Sequence, residues 1–329
     1  MRILVTGAAG MLGRKLVQRL LADGGLVREP SSQLVLADRV EAPSPAAAAV
    51  PVERVVCDLA EPGSAARLVA GRPELIFHLA AVVSGEAEAD FELGYRVNVD
   101  GLRALLDAVR ALGGGYRPRL VFASSIAVFG APFPEVIGDD FHATPLTSYG
   151  TQKAIGELLL SDYSRRGFVD GVAVRLPTVC VRPGRPNRAA SGFFSSIVRE
   201  PLAGKEAVLP VPDDVRHWFC SPRAAVGFLL HAAALDGKLL GERRALTMPG
   251  VSATVADEIE ALRAIGGEEA VARIRREPDE TIARMVAGWP RAFEARRALA
   301  LGFRAESSFA EIVSVYVEDE LGGRVGTAG

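Results

Sequence analysis

Residues 1–13, MRILVTGAAGMLG, constrain this chain more than any other stretch. Ile3, Leu4 and Val5 are a short unbroken apolar run, the kind that forms a strand buried on both faces of a parallel sheet. Gly7, Gly10 and Gly13 follow at three-residue spacing, and Leu12, Leu16, Val17 and Leu20 then repeat at helical period. A strand that turns through glycines into a helix is a phosphate cradle: the helix N-terminus offers unpaired N–H groups and a partial positive charge. Glycine lets the backbone approach a pyrophosphate closely. The same spacing also serves a plain tight turn, and the next strand decides between the two. Gln33–Asp38 is apolar and ends in an acid. A carboxylate there accepts both hydroxyls of an adenosine ribose and repels a 2′-phosphate, which favours NAD over NADP. Arg39 weakens that preference, because a guanidinium can pair with the phosphate.

The 329 residues, 49% of them hydrophobic, suffice for one large domain or two modest ones. A net charge of −2 gives no reason to expect nucleic acid as a partner. Cys57, Cys180 and Cys220 are widely separated with no C-x-x-C spacing, so neither metal nor disulfide is expected, and a reducing cytoplasm fits. The start reads as a strand rather than a signal peptide. The longest apolar stretch, Ala224–Leu235, is broken by Gly227 and His231 and is too short to cross a bilayer.

Further strands follow in order. Arg54–Leu59 carries Asp58, an acid placed either to take an adenine amino group or to cap the helix near Ser64. Leu75–Ala81 holds His78 inside an apolar run, where a histidine reads as a core residue. Ala80 and Ala81 suit backbone passing close to a cofactor, and Ser84 stands in the following loop within reach of a substrate. Asn98–Leu112 has one broad apolar helical face; Arg119–Ser125 and Val172–Pro177 are the next strands. The alternation predicts an α/β fold, a Rossmann-type doubly wound parallel sheet with chemistry at the carboxyl ends of its strands. Pro43–Pro51 is read as a solvated excursion.

Ser124 and Ser125 end the fifth strand, and Tyr149 and Lys153 follow, four residues apart on one helix face. A phenol of ordinary pKa near about 10 is a poor base at neutral pH. A neighbouring ammonium and the positive nicotinamide favour the phenolate, which can then take a hydroxyl proton as hydride leaves to the cofactor. A serine hydroxyl can hold the same oxygen.

Thr6-Gly7-Ala-Ala-Gly10-Met-Leu-Gly13, Asp58-Leu59, His78-Leu-Ala-Ala81, Asn98-Val-Asp-Gly101, Ser124-Ser125-Ile-Ala-Val-Phe-Gly130 and the Tyr149/Lys153 pair occur in this order. With them the chain resembles the extended short-chain dehydrogenases/reductases, the group that contains nucleotide-sugar epimerases and dehydratases. The resemblance implies Ser125, Tyr149 and Lys153 as catalytic residues, with Ser124 beside them. It implies that Gly7, Gly10, Met11, Leu12, Gly13, Asp38, Asp58, Leu59, Leu79, Ala80, Ala81, Asn98, Ser124, Tyr149, Lys153 and Pro177 line an NAD site. It also implies a homodimer built from the helices that begin near Asn98 and Tyr149.

By the same resemblance Thr178 faces substrate. Arg182, Arg185 and Arg188 lie in a Gly/Pro-rich loop that serves either as an anion clamp or as solvated chain. Arg216 aligns with the arginine that grips the diphosphate in nucleotide-sugar enzymes, but Pro222 and Arg223 stand where their acidic pair follows. Arg216 is therefore read as holding a small carboxylate, which a guanidinium grips with two parallel bonds. The expected organisation is a nucleotide-binding part at 1–177, with 211–235 returning to it, then a smaller, mostly helical substrate part at 178–210 and 236–321 and a tail at 322–329. Helical patterns cover Ala253–Ile265, Glu268–Arg276 and Phe309–Leu321. The opening run, the Arg182–Arg188 loop and the ending Ala310–Leu321 resemble the dehydrogenases of this family that act on D-erythronate and related aldonates. That implies NAD-dependent oxidation of a C2 hydroxyl to the 2-oxo acid. An epimerase or dehydratase with tightly bound NAD and a non-catalytic dinucleotide sensor are the alternatives.

Overall fold

The computed structural model describes residues 1–22, 32–45, 48, 50–184 and 191–324. In chain order its strands begin with β1 (Arg2–Thr6), β2 (Gln33–Asp38), β3 (Val52–Val56), β4 (Leu75–His78) and β5 (Arg119–Ser125). Next come β6 (Ile137–Gly138), β7 (Asp170–Leu176), β8 (Thr178–Val179), β9 (Ala207–Leu209) and β10 (Arg216–Cys220). The last are β11 (Ala245–Thr247), β12 (Val251–Thr254), β13 (Ile274–Arg276) and β14 (Phe293–Glu294). The first helices are α1 (Met11–Ala22), α2 (Ser64–Val69), α3 (Ser84–Ala89), α4 (Phe91–Tyr95), α5 (Gly101–Ala111) and α6 (Ser148–Arg165). They are followed by α7 (Gly192–Leu202), α8 (Pro222–Ala234), α9 (Val255–Val271), α10 (Glu280–Ala287), α11 (Arg296–Ala300) and α12 (Phe309–Glu320).

The chain divides into two compact units, 1–125 with 147–175 and 226–246, and 126–146 with 176–225 and 247–329. The first is organised on a seven-stranded sheet of order β11-β7-β5-β4-β1-β2-β3. β1 pairs in parallel with both β2 and β4, so the strand order reverses there, at the place where α/β sheets open a crevice for ligands. Ile3, Leu4 and Val5 are wholly buried, as a strand covered on both faces requires. β3 is one of the two edge strands, and it carries Glu53 and Arg54, charges that discourage pairing with another chain.

Two close approaches set the geometry of this unit. A Cβ at Gly13 would lie 2.2 Å from the Gly7 carbonyl oxygen, so only glycine lets α1 begin so near β1. A Cβ at Gly156 would lie 2.8 Å from the Phe122 ring, so glycine also seats α6 against β5. The helix that carries Tyr149 and Lys153 begins at Ser148, capped by the Thr147 hydroxyl on the Gly150 N–H. Leu102, Leu105, Leu106 and Val109 of α5 are buried with Leu160 of α6 and Phe122 of β5 in one core.

The second unit packs its own core from Phe194, Phe219, Leu262, Ile312 and Val313 among others. It mixes helices with three small sheets, β12-β10-β8, β13-β9 and β14-β6. Its extent differs from the sequence expectation. Residues 126–146 belong to it because β6 pairs with β14 and the Phe129 ring lies tilted against Phe293. The segment that returns to the first unit is 226–246, because β10 pairs with β8 and β12 inside the second.

Three local expectations also change. Glu268–Arg276 is helical only as far as Val271: Gly267, with φ 70°, kinks α9 just before it, and Ile274–Arg276 becomes β13, parallel to β9. Ser84 is not in a loop but is the first residue of α3. The helix expected from Asn98 is entered earlier, through α4 from Phe91, and Asn98 itself lies in a π turn, Arg96–Asp100, between α4 and α5.

Candidate active site

A cleft of about 360 Å³ opens at the strand reversal of the first unit. Gly7, Gly10, Asp38, Asp58, Leu59, Leu79, Ala80 and Ala81, all singled out in the sequence, line it. Arg39, Val40, Cys57, Val82, Glu86 and Val97 line it too; Arg39 was expected only to bear on the phosphate choice, and the others carry no motif of their own. Gly7 has φ 75°, and a Cβ there would stand 2.6 Å from the Ala80 nitrogen, so the turn after β1 passes directly against the chain leaving β4. The Arg14 N–H is bonded to the Gly10 carbonyl at 2.9 Å, so the N–H groups of Met11, Leu12 and Gly13 precede that helical bond and sit at the start of α1. This is a cradle with room only for backbone, at a helix N-terminus, and it fits a dinucleotide pyrophosphate.

Asp38 is oriented by its own surroundings. Its two carboxylate oxygens accept the Ala9 N–H at 2.9 Å and the Arg39 N–H at 2.7 Å. Asp58 accepts Arg96 at 2.6 Å and the Ala60 N–H at 3.0 Å, with Arg39 at 3.8 Å. Burial pushes the Asp58 carboxyl up, but the bonds from Arg96 and Ala60 and the charges of Arg96 and Arg39 outweigh it and hold its pKa below the ordinary value. Asp58 thus both lines the cleft and ties the loop after β3. Asn98 is 2% exposed and spends its amide on the Val82 N–H (2.8 Å), the Val82 carbonyl (3.1 Å) and Gln152 (2.7 Å), so it shapes the wall behind the cleft.

Behind the carboxyl end of β5 lies a buried polar cluster. Lys153 is 3% exposed; its Nζ donates to the Ala123 carbonyl at 2.8 Å and lies 4.8 Å from the Phe122 ring centre and 5.6 Å from that of Tyr149. Burial lowers the Lys153 pKa to about 8, against the opposing charge of Glu157. Glu157, one further turn along α6, accepts the Ser124 hydroxyl at 2.6 Å and a two-pronged contact from Arg175, at 2.9 Å from Nε and 2.7 Å from Nη2. Ser124 therefore points into this cluster, while Ser125 and Tyr149 are half-buried. Glu157 and Arg175 were not singled out in the sequence; the signal was the i, i+4, i+8 run of Tyr149, Lys153 and Glu157. His78 is 1% exposed, shares a hydrogen bond of 2.8 Å with the Thr6 hydroxyl, and is held neutral with a pKa near about 3 by burial and the Lys153 charge. It is the core histidine that its apolar run suggested.

In the second unit, buried Pro177 links β7 to β8, and Thr178 is half-buried. Thr178 pairs in register with Phe219, so it shares a sheet face with Phe219 and His217, while Arg216 and Trp218 occupy the other. The exposed Arg216 donates Nη1 to the Ser252 carbonyl at 3.2 Å. Among the described residues its Nε and Nη2 edge carries no hydrogen bond. Arg182 is engaged inside its own loop, by Nε to the Val179 carbonyl (2.9 Å) and Nη2 to the Ser191 hydroxyl (2.6 Å). Arg185 and Arg188 lie outside the described residues. Where an acidic pair was missed, Pro222 opens α8 and Arg223 is held by Glu318 (2.8 Å) and Asp319 (3.3 Å). Among the described residues no His/Cys/Asp/Glu group is arranged to hold a metal, and no helix is long and apolar enough to cross a membrane.

The sequence pattern of the NAD dependent epimerase/dehydratase family matches residues 3–233. The chain is 48% identical to D-erythronate dehydrogenase from Cupriavidus necator, over 97% of this chain and 98% of that one. It is 41% identical to D-erythronate dehydrogenase from Haemophilus influenzae, over 98% and 100%. A crystal structure described as a nucleoside-diphosphate-sugar epimerase from Agrobacterium tumefaciens is 62% identical, with a TM-score of 0.96 over 99% of this chain and 96% of that one. With the pattern spanning well over half its length and two relatives matching nearly end to end, the chain belongs to the NAD-dependent epimerase/dehydratase family.

Proposed function

We propose that this protein is an NAD-dependent dehydrogenase that oxidises the C2 hydroxyl of a small sugar acid, D-erythronate or a similar aldonate, to the 2-oxo acid. The observation that carries the reading is the end-to-end similarity to two proteins named D-erythronate dehydrogenase, which extends through the second unit as well as the nucleotide-binding one. NAD, when bound, accepts the hydride from the alcohol carbon. The turn from Gly7 to Gly13 holds the pyrophosphate, Asp38 takes the ribose hydroxyls, and Lys153 adds a bond to the second ribose. Tyr149 accepts the C2 hydroxyl proton, Ser125 holds the same oxygen, and the Lys153 ammonium makes the phenolate less costly. Arg216 takes the carboxylate on its Nε and Nη2 edge.

A nucleotide-sugar epimerase is the second reading, favoured by the name of the Agrobacterium structure. It requires a grip on a diphosphate, and where its acidic pair would follow β10 stand Pro222, which opens α8, and Arg223, which is engaged with α12. Incubation with NAD and a panel of aldonates and UDP-sugars separates the two: a dehydrogenase accumulates reduced cofactor, whereas an epimerase returns the hydride and is read by the inverted sugar. Turnover of a UDP-sugar and of no aldonate would establish the epimerase. A homodimer through α5 and α6 belongs to the first reading, supported by Leu158, which is 72% exposed on α6. Sedimentation at micromolar concentration is expected to give a dimer; monomer alone would contradict it.

The catalytic assignment predicts that Tyr149→Phe lowers turnover by roughly two to four orders of magnitude with NAD still bound. Lys153→Met does similar damage and also weakens NAD. Near-native turnover in the Tyr149→Phe enzyme would remove the phenol from the mechanism.

For the cofactor, the measured dissociation constant for NAD is expected to be well below that for NADP, because a carboxylate at the end of β2 would repel a 2′-phosphate and Arg39 leans toward Asp58. Equal or tighter NADP binding would contradict the role given to Asp38.

For the substrate, Arg216→Ala should raise the Michaelis constant for an aldonate by more than about tenfold, since a carboxylate left without its partner typically loses about 2–5 kcal/mol. Lysine should rescue only in part, because it cannot make two parallel bonds. Unchanged aldonate kinetics in Arg216→Ala would move the carboxylate elsewhere.

A further inference from the structure

Thr178 and His217 form a pair whose hydrogen positions follow from its surroundings. His217 is 2% exposed. Its ring lies parallel to Phe194 at 5.4 Å, edge-on to Phe219 at 5.3 Å and against Trp289 at 5.3 Å. Its Nδ1 is 2.9 Å from the Pro290 carbonyl oxygen, and its Nε2 is 2.7 Å from the Thr178 hydroxyl. A carbonyl oxygen only accepts, so Nδ1 carries the proton. The aromatic enclosure disfavours a second proton, and burial, with the Arg182 charge adding to it against the Pro290 bond, lowers the ring's pKa to about 4. Nε2 is therefore a lone pair at neutral pH, and Thr178 must donate to it. A hydroxyl has one hydrogen, so what Thr178 has left is acceptor capacity alone.

We propose that His217 is a positioning residue that fixes Thr178 as a one-way hydrogen-bond acceptor, and that this selects a substrate presenting a hydroxyl, rather than a carboxylate, phosphate or carbonyl, to position 178. The proposal rests on the sugar-acid reading above and extends it to the carbon chain beyond C2. Thr178 is half-buried and lies two residues beyond the carboxyl end of β7, the strand next to β5 in the sheet order, where ligands of such sheets bind. Among the described residues no donor other than a ligand reaches its hydroxyl oxygen. An anionic group there would meet an oxygen with no hydrogen to give. The same geometry thus turns the carboxylate away from Thr178 and accepts a hydroxyl of the polyol chain, disfavouring a 2-hydroxy acid that lacks it.

Two measurements test this on the full-length protein. With ¹⁵N-labelled histidine, His217 is assigned among four histidines by its absence in His217→Gln. Its spectrum should show a protonated Nδ1 and an unprotonated Nε2 throughout the neutral range; a protonated Nε2 overturns the proposal. Steady-state kinetics then compare a four-carbon aldonate with the 2-hydroxy acid lacking the C3 and C4 hydroxyls. Thr178→Val should reduce the wild-type preference for the aldonate about fivefold to tenfold, the worth of one ordinary hydrogen bond, and Thr178→Ser should restore it. A preference unchanged in Thr178→Val overturns the proposal even if the histidine signal is as expected. No turnover of any aldonate by the wild type would instead overturn the function on which the proposal rests, leaving the histidine spectrum to decide the polarity of Thr178.

Discussion

Lys153 carries an ammonium into a fully buried place, and much of the first unit serves to keep it there. Gly156 lets α6 lie against Phe122, which brings Nζ to the Ala123 carbonyl at the end of β5. Glu157 supplies the opposing charge from the next turn and is itself held by Arg175 and Ser124. Burial still wins in part. A pKa lowered from 10.5 to about 8 corresponds to about 3 kcal/mol of stability given up at neutral pH. That cost is present in full below about 8, where the folded chain must keep the proton, and fades as the pH rises toward the ordinary lysine value. A cation retained at such a cost beside a tyrosine ring is the arrangement a phenolate base needs.

The cofactor side rests on a different constraint, the absence of Cβ atoms. Gly7 and Gly13 let β1, α1 and the chain after β4 meet at distances no side chain would permit. The first N–H groups of α1 are thereby presented where the strand order reverses. Asp38, pinned by the Ala9 and Arg39 N–H groups, gives that crevice a fixed negative edge.

Much of this was legible in the sequence where local pattern and chemistry coincide. The apolar run Ile3–Val5, the glycine spacing and the acid at Asp38 specify a strand, a turn and a crevice, and Tyr149 and Lys153 four apart specify a shared helix face. What was not legible depends on partners distant in the chain. Residues 126–146 fall inside the nucleotide-binding part expected at 1–177, and only pairing with Phe293–Glu294 assigns them to the second unit. Arg275 and Arg276 suit a helix as well as a strand until β9 offers its edge. Glu157 looks like one more helix-surface acid until Arg175 and Ser124 close on it. His217 shows nothing in the sequence of the carbonyl that fixes its tautomer.

The central claim is that hydride leaves C2 of a sugar acid. An aldonate deuterated at C2, incubated with NAD and the enzyme, tests it most directly, with the reduced cofactor and the product both examined by mass. The account predicts reduced cofactor carrying the deuterium and a 2-oxo acid that has lost it. Deuterium retained in the acid while reduced cofactor accumulates, or no reduced cofactor at all with an aldonate while a UDP-sugar is inverted, would contradict it.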